Sequence, residues 1–177
     1  MIELDPKQML QSDCDWQVAL NRLHLINARI CLVVTGGGSG AIGKCFGRPG
    51  ASKHLIEAVV PYSRLSAIDY LGRDPEIPSV CETMAAEFAV VAKRRAERLA
   101  DDGVGVPLGI ALTAALPTKP PRNQQEAIFV ARCLKDETQL WSAKLPQGHF
   151  DRAAGEQIAE AMIWEALVSG GNESQRP

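Results

Sequence analysis

The chain has 177 residues, of which 46% are hydrophobic and 23% are charged, and its formal net charge at pH 7 is −2. This length and composition predict a single globular domain over residues 1–177 with a sizeable core. The slightly negative charge argues against a broad basic surface, so we expect no nucleic-acid partner. No apolar run approaches the roughly 20 residues that a membrane-spanning helix needs, so we expect no membrane partner either.

The cysteines and histidines indicate neither a disulfide framework nor a metal site. The five cysteines are widely spaced and form no CxxC pair, and the first residues lack the basic and apolar regions of a signal peptide. A reduced, cytoplasmic protein is therefore predicted, with Cys31 and Cys81 acting as small hydrophobes in a strand and a helix. The three histidines show no metal-ligand spacing, so we expect no metal and no other cofactor; His54 is predicted to be partly exposed.

The predicted elements, in chain order, describe one α/β domain with a mixed β-sheet and flanking helices. Residues 1–14 and 170–177 are expected to be loose termini. The elements between them are a helix over 16–26, a strand over 29–35, a short helix over 39–46, a strand over 55–62, a helix over 63–71, a long helix over 80–100, strands within 107–116 and over 126–135 and 140–145, and a helix over 151–169. The capping-box pattern Ser79-x-x-Glu82 is predicted to open the long helix, and Asp151 to cap the last one.

The clearest functional signal is the segment from Ile30 to Gly43. A β-branched apolar run passes directly into a loop with glycines at 36, 37, 38, 40 and 43, and a short helix follows. Such a loop presents backbone N–H groups at the positive end of a helix dipole. The segment therefore predicts a site for a phosphate, a carboxylate or an oxyanion; the alternative is a tight turn that binds nothing.

Familiar glycine motifs do not explain this loop. The stretch Gly38–Gly43 satisfies G-x-G-x-x-G, but a dinucleotide fold also needs an acidic residue at the end of the next strand, and Glu57 falls within that strand. No Gly-Lys-Ser/Thr ends the glycine run, which excludes a Walker A loop. No G-x-S-x-G nucleophile motif is present either.

An ordered set of segments over roughly residues 28–135 resembles another family, the C-terminal domain of the competence/damage-inducible protein CinA, also known alone as nicotinamide-nucleotide amidohydrolase. It is most similar to a divergent branch of that family with a glycine-rich first loop. The matching segments are Val34-Thr-Gly-Gly-Gly-Ser39, Pro49-Gly-Ala-Ser52, Val59-Val-Pro-Tyr-Ser-Arg64, Tyr70-Leu-Gly72, Gly109-Ile-Ala-Leu-Thr-Ala114, Lys119-Pro-Pro-Arg122 and Ala127-Ile-Phe-Val-Ala131.

The resemblance implies an α/β fold, a homo-oligomer, and hydrolysis of the carboxamide of nicotinamide mononucleotide or a related pyridine nucleotide, without a metal. Thr35 matches the serine that serves as nucleophile in the family, and Ser39 is the other hydroxyl candidate. Tyr62 would assist proton transfer. The backbone N–H groups of the glycine loop would hold the oxyanion or the ligand, namely those of Gly36, Gly37, Gly38 and Gly40.

Further ligand contacts follow from the same alignment of motifs. Ser63 matches the serine of the family's Tyr-Ser pair, and Thr113 matches the threonine of the later strand end. Arg64 and Lys119 would supply cations for the phosphate of the nucleotide. Lys53 is a further cation beside this set.

Two departures from the family pattern support a second hypothesis, a catalytically inactive nucleotide-binding or assembly module with the same fold. The family serine is replaced by Thr35, and the family lysine corresponds to Ala67. A hydroxyl is a weak nucleophile without a base beside it. A replacement base at Lys44, Lys53 or His54 would favour the enzyme, whereas both hypotheses require a glycine loop that its own side chains leave open.

Overall fold

The apolar run before the glycines forms a central strand of the sheet, as its continuous hydrophobicity predicts. The structure is a computed structural model, and it describes residues 1–100, 103–121 and 123–169. The described strands are β1 (Ile2–Glu3), β2 (Ala28–Thr35), β3 (Leu55–Val59), β4 (Val106–Ala115), β5 (Glu126–Leu134) and β6 (Glu137–Leu145). The described α-helices are α1 (Pro6–Gln11), α2 (Trp16–Leu25), α3 (Gly40–Phe46), α4 (Arg64–Leu71), α5 (Glu82–Leu99) and α6 (Arg152–Val168).

The strands form one mixed six-stranded sheet in the order β1-β6-β5-β4-β2-β3. Strand β2 runs parallel to both of its neighbours, β3 and β4, whereas β4, β5 and β6 form an antiparallel meander. Strand β1 adds to the far edge, parallel to β6. The predicted fold class, a single α/β domain with a mixed sheet and flanking helices, is therefore confirmed.

Helices cover both faces of the sheet and divide the core into two layers. Along β2, Ile30, Leu32 and Val34 face the layer that contains α2, α3 and α6. Cys31 and Val33 point the other way, toward α5. Burial raises the pKa of the Cys31 thiol to about 12, so this cysteine acts as a small hydrophobe, as predicted.

The first residues are ordered, which corrects the expectation that 1–14 would be a loose lead. Ile2 and Glu3 pair with β6, and the Leu4 N–H donates to the Ser142 carbonyl at 2.8 Å. Helix α1 then begins at Pro6, and the Asp5 carboxylate accepts from the Lys7 N–H at 2.9 Å. A helix cap followed by proline at the first helical position is a recognised start signal, and here it holds although α1 has only six residues.

Three predicted boundaries also differ. Strand β3 ends at Val59 rather than at Tyr62, before the proline that has no N–H to donate. Helix α5 begins at Glu82 with Cys81 as its N-cap, so the Ser79 capping box is wrong and Cys81 is not inside a helix. Strand β6 begins at Glu137 and is longer than predicted. The predicted loose tail, 170–177, lies outside the described residues.

An ion pair joins the edge strand β3 to helix α5, which packs on the sheet. The Arg95 guanidinium donates to both carboxylate oxygens of Glu57 at 2.6 Å, and its Cζ lies 5.2 Å from the centroid of the Tyr70 ring. These hydrogen bonds hold the pKa of Glu57 below its ordinary value of 4.5. The pair is half-buried, so solvent screens it only in part.

We expect Glu57→Gln to lower the free energy of unfolding at pH 7 by about 1 kcal/mol, because a charge-assisted bidentate pair is lost. The folded pKa of Glu57 is depressed, so the pair's stabilisation is present above pH 4.5 and is lost as the pH falls through the folded pKa. Urea unfolding from pH 7 to pH 3 should therefore show the two proteins converging. The exposed Glu137→Gln is the control, and a difference that stays constant with pH would contradict this role of the pair.

Candidate functional site

The candidate site lies where the carboxyl ends of β2, β3 and β4 meet. After β2 the chain forms β3 on one side of this strand and then crosses to form β4 on its other side. This edge of the sheet is therefore a topological switch point. Such points are where ligands bind in open α/β sheets. Thr35 ends β2 and lies directly opposite Thr113 on β4. The structure thus brings together two of the residues singled out from the sequence.

Both threonine hydroxyls hold backbone carbonyls at this edge. The Thr35 Oγ1 donates to the Pro61 carbonyl at 3.3 Å, and the Thr113 Oγ1 donates to the Cys81 carbonyl at 3.4 Å. Thr35 is half-buried, whereas Thr113 is fully buried. The two hydroxyls therefore position the segment after β3 and the start of α5.

Of the three residues considered as replacement bases, Lys44 and His54 are engaged elsewhere, and Lys53 is exposed. The Lys44 ammonium lies 2.5 Å from a carboxylate oxygen of Glu160. His54 is only 4% exposed, which corrects the expectation of a partly exposed residue, and its Nδ1 lies 3.1 Å from the Ala28 carbonyl. Its ring meets that of His24 edge-on at 5.7 Å. Ala67, at the position of the family lysine, packs against the apolar layer around α5.

The glycine loop adopts a conformation that side chains would prevent. Gly36 has φ +82°, and a Cβ placed on it would lie 1.9 Å from the Ala114 carbonyl oxygen. Gly38 has φ +76° and lies against α6. Gly37 and Gly38 are buried, whereas Gly36 is half-buried. Glycine is thus required here by close backbone packing as well as by the left-handed conformation.

Helix α6 closes over this loop through two charged side chains. The Glu156 Oε2 accepts from the Gly38 N–H at 2.6 Å, across 118 residues of sequence. The Arg152 Nη2 donates to Glu156 Oε1 at 2.8 Å and to the Gly36 carbonyl at 3.2 Å. We call this set, Arg152 and Glu156 with their contacts to Gly36 and Gly38, the Glu156 clamp. An N–H group predicted to meet an external anion thus already meets a carboxylate of the same chain. The open loop that both hypotheses from the sequence require is therefore absent, and a ligand would reach the Gly38 N–H only by displacing Glu156.

A second carboxylate follows one helical turn later. A Cβ on Gly40 would lie 2.0 Å from Glu160 Oε1, so this carboxylate lies directly against the start of α3. Sequence reasoning missed both glutamates. The available signal was the spacing of Arg152, Glu156 and Glu160, which places three charges on one face of a largely apolar helix.

The remaining predicted residues lie on more exposed segments. Tyr62 is 68% exposed, directly after the Pro61 carbonyl that Thr35 contacts. Ser63 caps α4 by accepting from the Ser66 N–H at 3.2 Å, and the Arg64 guanidinium pairs with Asp74 at 2.6 Å. Two more are exposed: Ser39 just before α3, and Lys119 on the loop between β4 and β5.

The protein is thus an α/β protein with a topological switch point of the kind where ligands bind. Its glycine loop is closed by Glu156 of the same chain. Its fold is that of CinA superfamily proteins. A competence-damaged protein (CinA) superfamily protein from Escherichia coli matches with a TM-score of 0.72 and 16% identity, covering 89% of each chain. A superfamily protein from Klebsiella pneumoniae matches with a TM-score of 0.66 and 13% identity, covering 93% of this chain and 98% of that one.

A competence or damage-inducible protein from Enterobacter asburiae is also similar, with a TM-score of 0.63 and 15% identity over 86% of this chain and 91% of that one. Neither a comparison with protein-family models nor one with curated proteins gave a match. At these identities the likeness shows the fold, and it confirms the resemblance to CinA at that level.

Two features are absent from the residues that the structure describes. Across these residues, no α-helix combines the length and the hydrophobicity that crossing a membrane requires. Over the same residues, His, Cys, Asp and Glu side chains do not gather in groups of three or more that could hold a metal ion.

Proposed function

We propose that the protein is a catalytically inactive nucleotide-binding module with the CinA fold, in which the Glu156 carboxylate holds the place of the ligand's anionic group. The observation that carries this proposal is the 2.6 Å hydrogen bond from the Gly38 N–H to Glu156. A pyridine mononucleotide is the ligand class that the sequence resemblance favours. The homo-oligomer that the same resemblance implies is part of the proposal.

Loss of hydrolysis follows from the surroundings of the hydroxyl nucleophile. The Thr35 hydroxyl donates its proton to a carbonyl, and a carbonyl oxygen is no base for activating it. Position 67 offers a methyl group where the family has an ammonium. General-base assistance alone supplies roughly 10²–10⁴ in rate, so its absence removes most of the expected turnover.

Anion stabilisation at the loop is also compromised for catalysis. An oxyanion donor acts only if it is free to meet the charge that develops in the transition state, and one such donor contributes about 3–4 kcal/mol. The Gly38 N–H is aimed at Glu156 instead. A negatively charged neighbour would moreover oppose a second negative charge at the same place.

Binding, in contrast, requires only an exchange of one anion for another. Arg152 and the Gly38 N–H together form a donor set that now holds a carboxylate and matches a phosphate equally well. Glu156 lies on the first turns of α6, and this end of the helix faces solvent. A displaced Glu156 side chain would therefore turn toward water. Tyr62 offers an exposed ring on which the base of a nucleotide stacks, with Ser63, Arg64 and Lys119 as further polar contacts.

One observation favours the amidase as a second candidate. Thr35 sits at the switch point, next to the segment that carries Tyr62, which is where the family places its reacting groups. In that case Thr35 or Ser39 attacks the carboxamide, Tyr62 assists proton transfer, and ammonia leaves. The glycine amides would then serve as oxyanion donors only after Glu156 withdraws.

The deciding experiment measures ammonia release from nicotinamide mononucleotide and, in parallel, binding of this nucleotide by calorimetry. We expect no release above that of the Thr35→Ala and Ser39→Ala variants, together with weak, saturable binding by the wild type. Release that one of these substitutions abolishes would establish the amidase and name its nucleophile. Absence of both release and binding would remove the nucleotide from the proposal.

A further inference from the structure

A cavity of about 380 Å³ lies away from the carboxyl ends of the central strands, where α1, α3 and α6 approach one another. Small-molecule sites have volumes of roughly 300–1,000 Å³, so this cavity falls within that range. Its walls combine apolar and polar side chains. They are formed by Met9, Leu10, Ser12, Cys14, Trp16, Lys44, Arg48, Gln157, Glu160 and Ala161.

The charged side chains in the cavity do not balance. Lys44 and Arg48 are cationic, whereas Glu160 is the one acidic side chain among the lining residues. Lys44 pairs with Glu160 at 2.5 Å. Across the described part of the chain, the ion pairs do not include Arg48. Among the lining residues alone, one positive charge, that of Arg48, therefore has no acidic counterpart. Asp13 and Glu165 also lie near Cys14, but neither lines the cavity.

Lys44, the cation next to Arg48, is held in place by its contacts with Glu160 and Trp16. The Lys44 Nζ lies 5.9 Å from the ring centroid of Trp16, as well as against Glu160. Trp16 is itself only 3% exposed, so its ring is a fixed wall. A site whose groups are already ordered loses less entropy on binding than a flexible one.

The other walls are suited to an apolar body. Met9, Leu10 and Ala161 line the cavity with hydrocarbon, and Ser12 and Gln157 offer hydrogen-bonding groups. The thiol of Cys14 is half-buried, and burial raises its pKa. Cys14 is thus a neutral, accessible group that reports on whether the cavity is filled.

From this juxtaposition we infer that the cavity is a binding site for a small organic monocarboxylate with an apolar body. The carboxylate is bound by Arg48 beside Lys44, and the apolar body lies against Met9, Leu10 and the Trp16 ring. A phosphate monoester is a poorer match, because its second negative charge would face Glu160. The cavity shares Glu160 with the start of α3, but its lining includes neither Thr35 nor Glu156, and the inference does not depend on the proposed function.

The test uses the full chain and three probes: benzoate, neutral benzamide of the same shape, and inorganic phosphate. We expect benzoate to bind at least about tenfold more tightly than either of the others, which corresponds to one charge-assisted hydrogen bond. Arg48→Gln should weaken benzoate binding by about the same factor. The matched control is Arg94→Gln, an exposed arginine on α5, which should leave binding unchanged.

A second measurement locates the bound probe. Alkylation of Cys14, followed by mass spectrometry, should slow in the presence of benzoate, whereas alkylation of Cys81 should not. Benzamide binding as tightly as benzoate would overturn the role of the charge, and phosphate binding as tightly would overturn the ligand class. Failure of benzoate to bind, or binding that Arg48→Gln leaves unchanged although the variant unfolds like the wild type, would overturn the site.

Discussion

Replacing Glu156 with Ala is expected to tighten the binding of nicotinamide mononucleotide by about tenfold or more, since an internal competitor worth a charge-assisted hydrogen bond is removed. The substitution leaves the Gly38 N–H and the Arg152 guanidinium without their present partner. Both donors then become available to the phosphate of the nucleotide. Calorimetry on the wild type and the variant measures the change directly.

The same substitution should also lower the free energy of unfolding by about 1–2 kcal/mol, because three hydrogen bonds to the carboxylate are lost, one from the Gly38 N–H and two from the Arg152 guanidinium. Tighter nucleotide binding together with lower stability is the result expected if the Glu156 clamp stabilises the fold and competes with the nucleotide. Glu165→Ala is the matched control, since it removes a carboxylate from the same helix at a residue that contacts Ser169 instead. Equal effects of the two substitutions on nucleotide affinity would contradict the role assigned to Glu156.

Replacing Gly109 with Ala should destabilise the protein by about 3 kcal/mol, at the upper end of the range for overpacked sites. Gly109 lies on β4 where α5 crosses closely, and a Cβ would come within 2.0 Å of the Ala89 carbonyl oxygen and 2.4 Å of the Lys93 nitrogen. Both of these are backbone atoms, so neither can rotate away. Urea unfolding monitored by circular dichroism gives the loss.

Gly43→Ala makes the matched control for this prediction. Gly43 lies inside α3, and a Cβ there would meet nothing within 4 Å. Alanine is favoured over glycine within a helix by roughly 0.5–1 kcal/mol, so this variant should be as stable as the wild type or slightly more so. An equal loss of stability in both variants would show that close packing of α5 on β4 is not the cause.

Local signals explain which parts of the fold could be predicted from the sequence. The central strand β2 is a continuous apolar run, and helix α4 begins at the Ser63 cap and ends before Gly72, which has φ +74°. Helix α6 begins after Asp151, whose carboxylate accepts from the Ala154 N–H at 2.8 Å. Each of these signals lies within a few residues of the boundary that it sets.

Tertiary contacts explain two of the elements for which the sequence-based prediction is wrong, the start of α5 and strand β1. The capping-box pattern predicts that α5 begins after Ser79, but the Cys81 Sγ accepts from the Met84 N–H, and the Thr113 hydroxyl donates to the Cys81 carbonyl. The second of these contacts comes from another strand, so no local pattern contains it. Strand β1 has two residues, too few for a periodic signal, and exists because β6 offers it an edge.

The candidate site shows the same limit more sharply. The glycine loop, Thr35 and Thr113 were identifiable because strand ends and glycines are visible locally. The contact of Glu156 with this loop could not be predicted, since Glu156 and Gly38 are 118 residues apart in the sequence. A loop that looks open in sequence was therefore predicted to await an anion, whereas the folded chain supplies a carboxylate of its own.

The pairing of β1 with β6 has a consequence for how the molecule opens. The hydrogen bond from Leu4 to Ser142 joins residues about 140 positions apart, and the entropic penalty of closing such a loop grows only with the logarithm of its length. Strand β1, which holds the terminal segment on the sheet, has only two residues. Helix α1 follows it and packs against α6. Hydrogen exchange in this terminal segment, β1 and α1, is therefore expected to report local fraying rather than global unfolding. Because Met9 and Leu10 belong to the same segment, such fraying would remove part of the cavity wall while the central sheet stays folded.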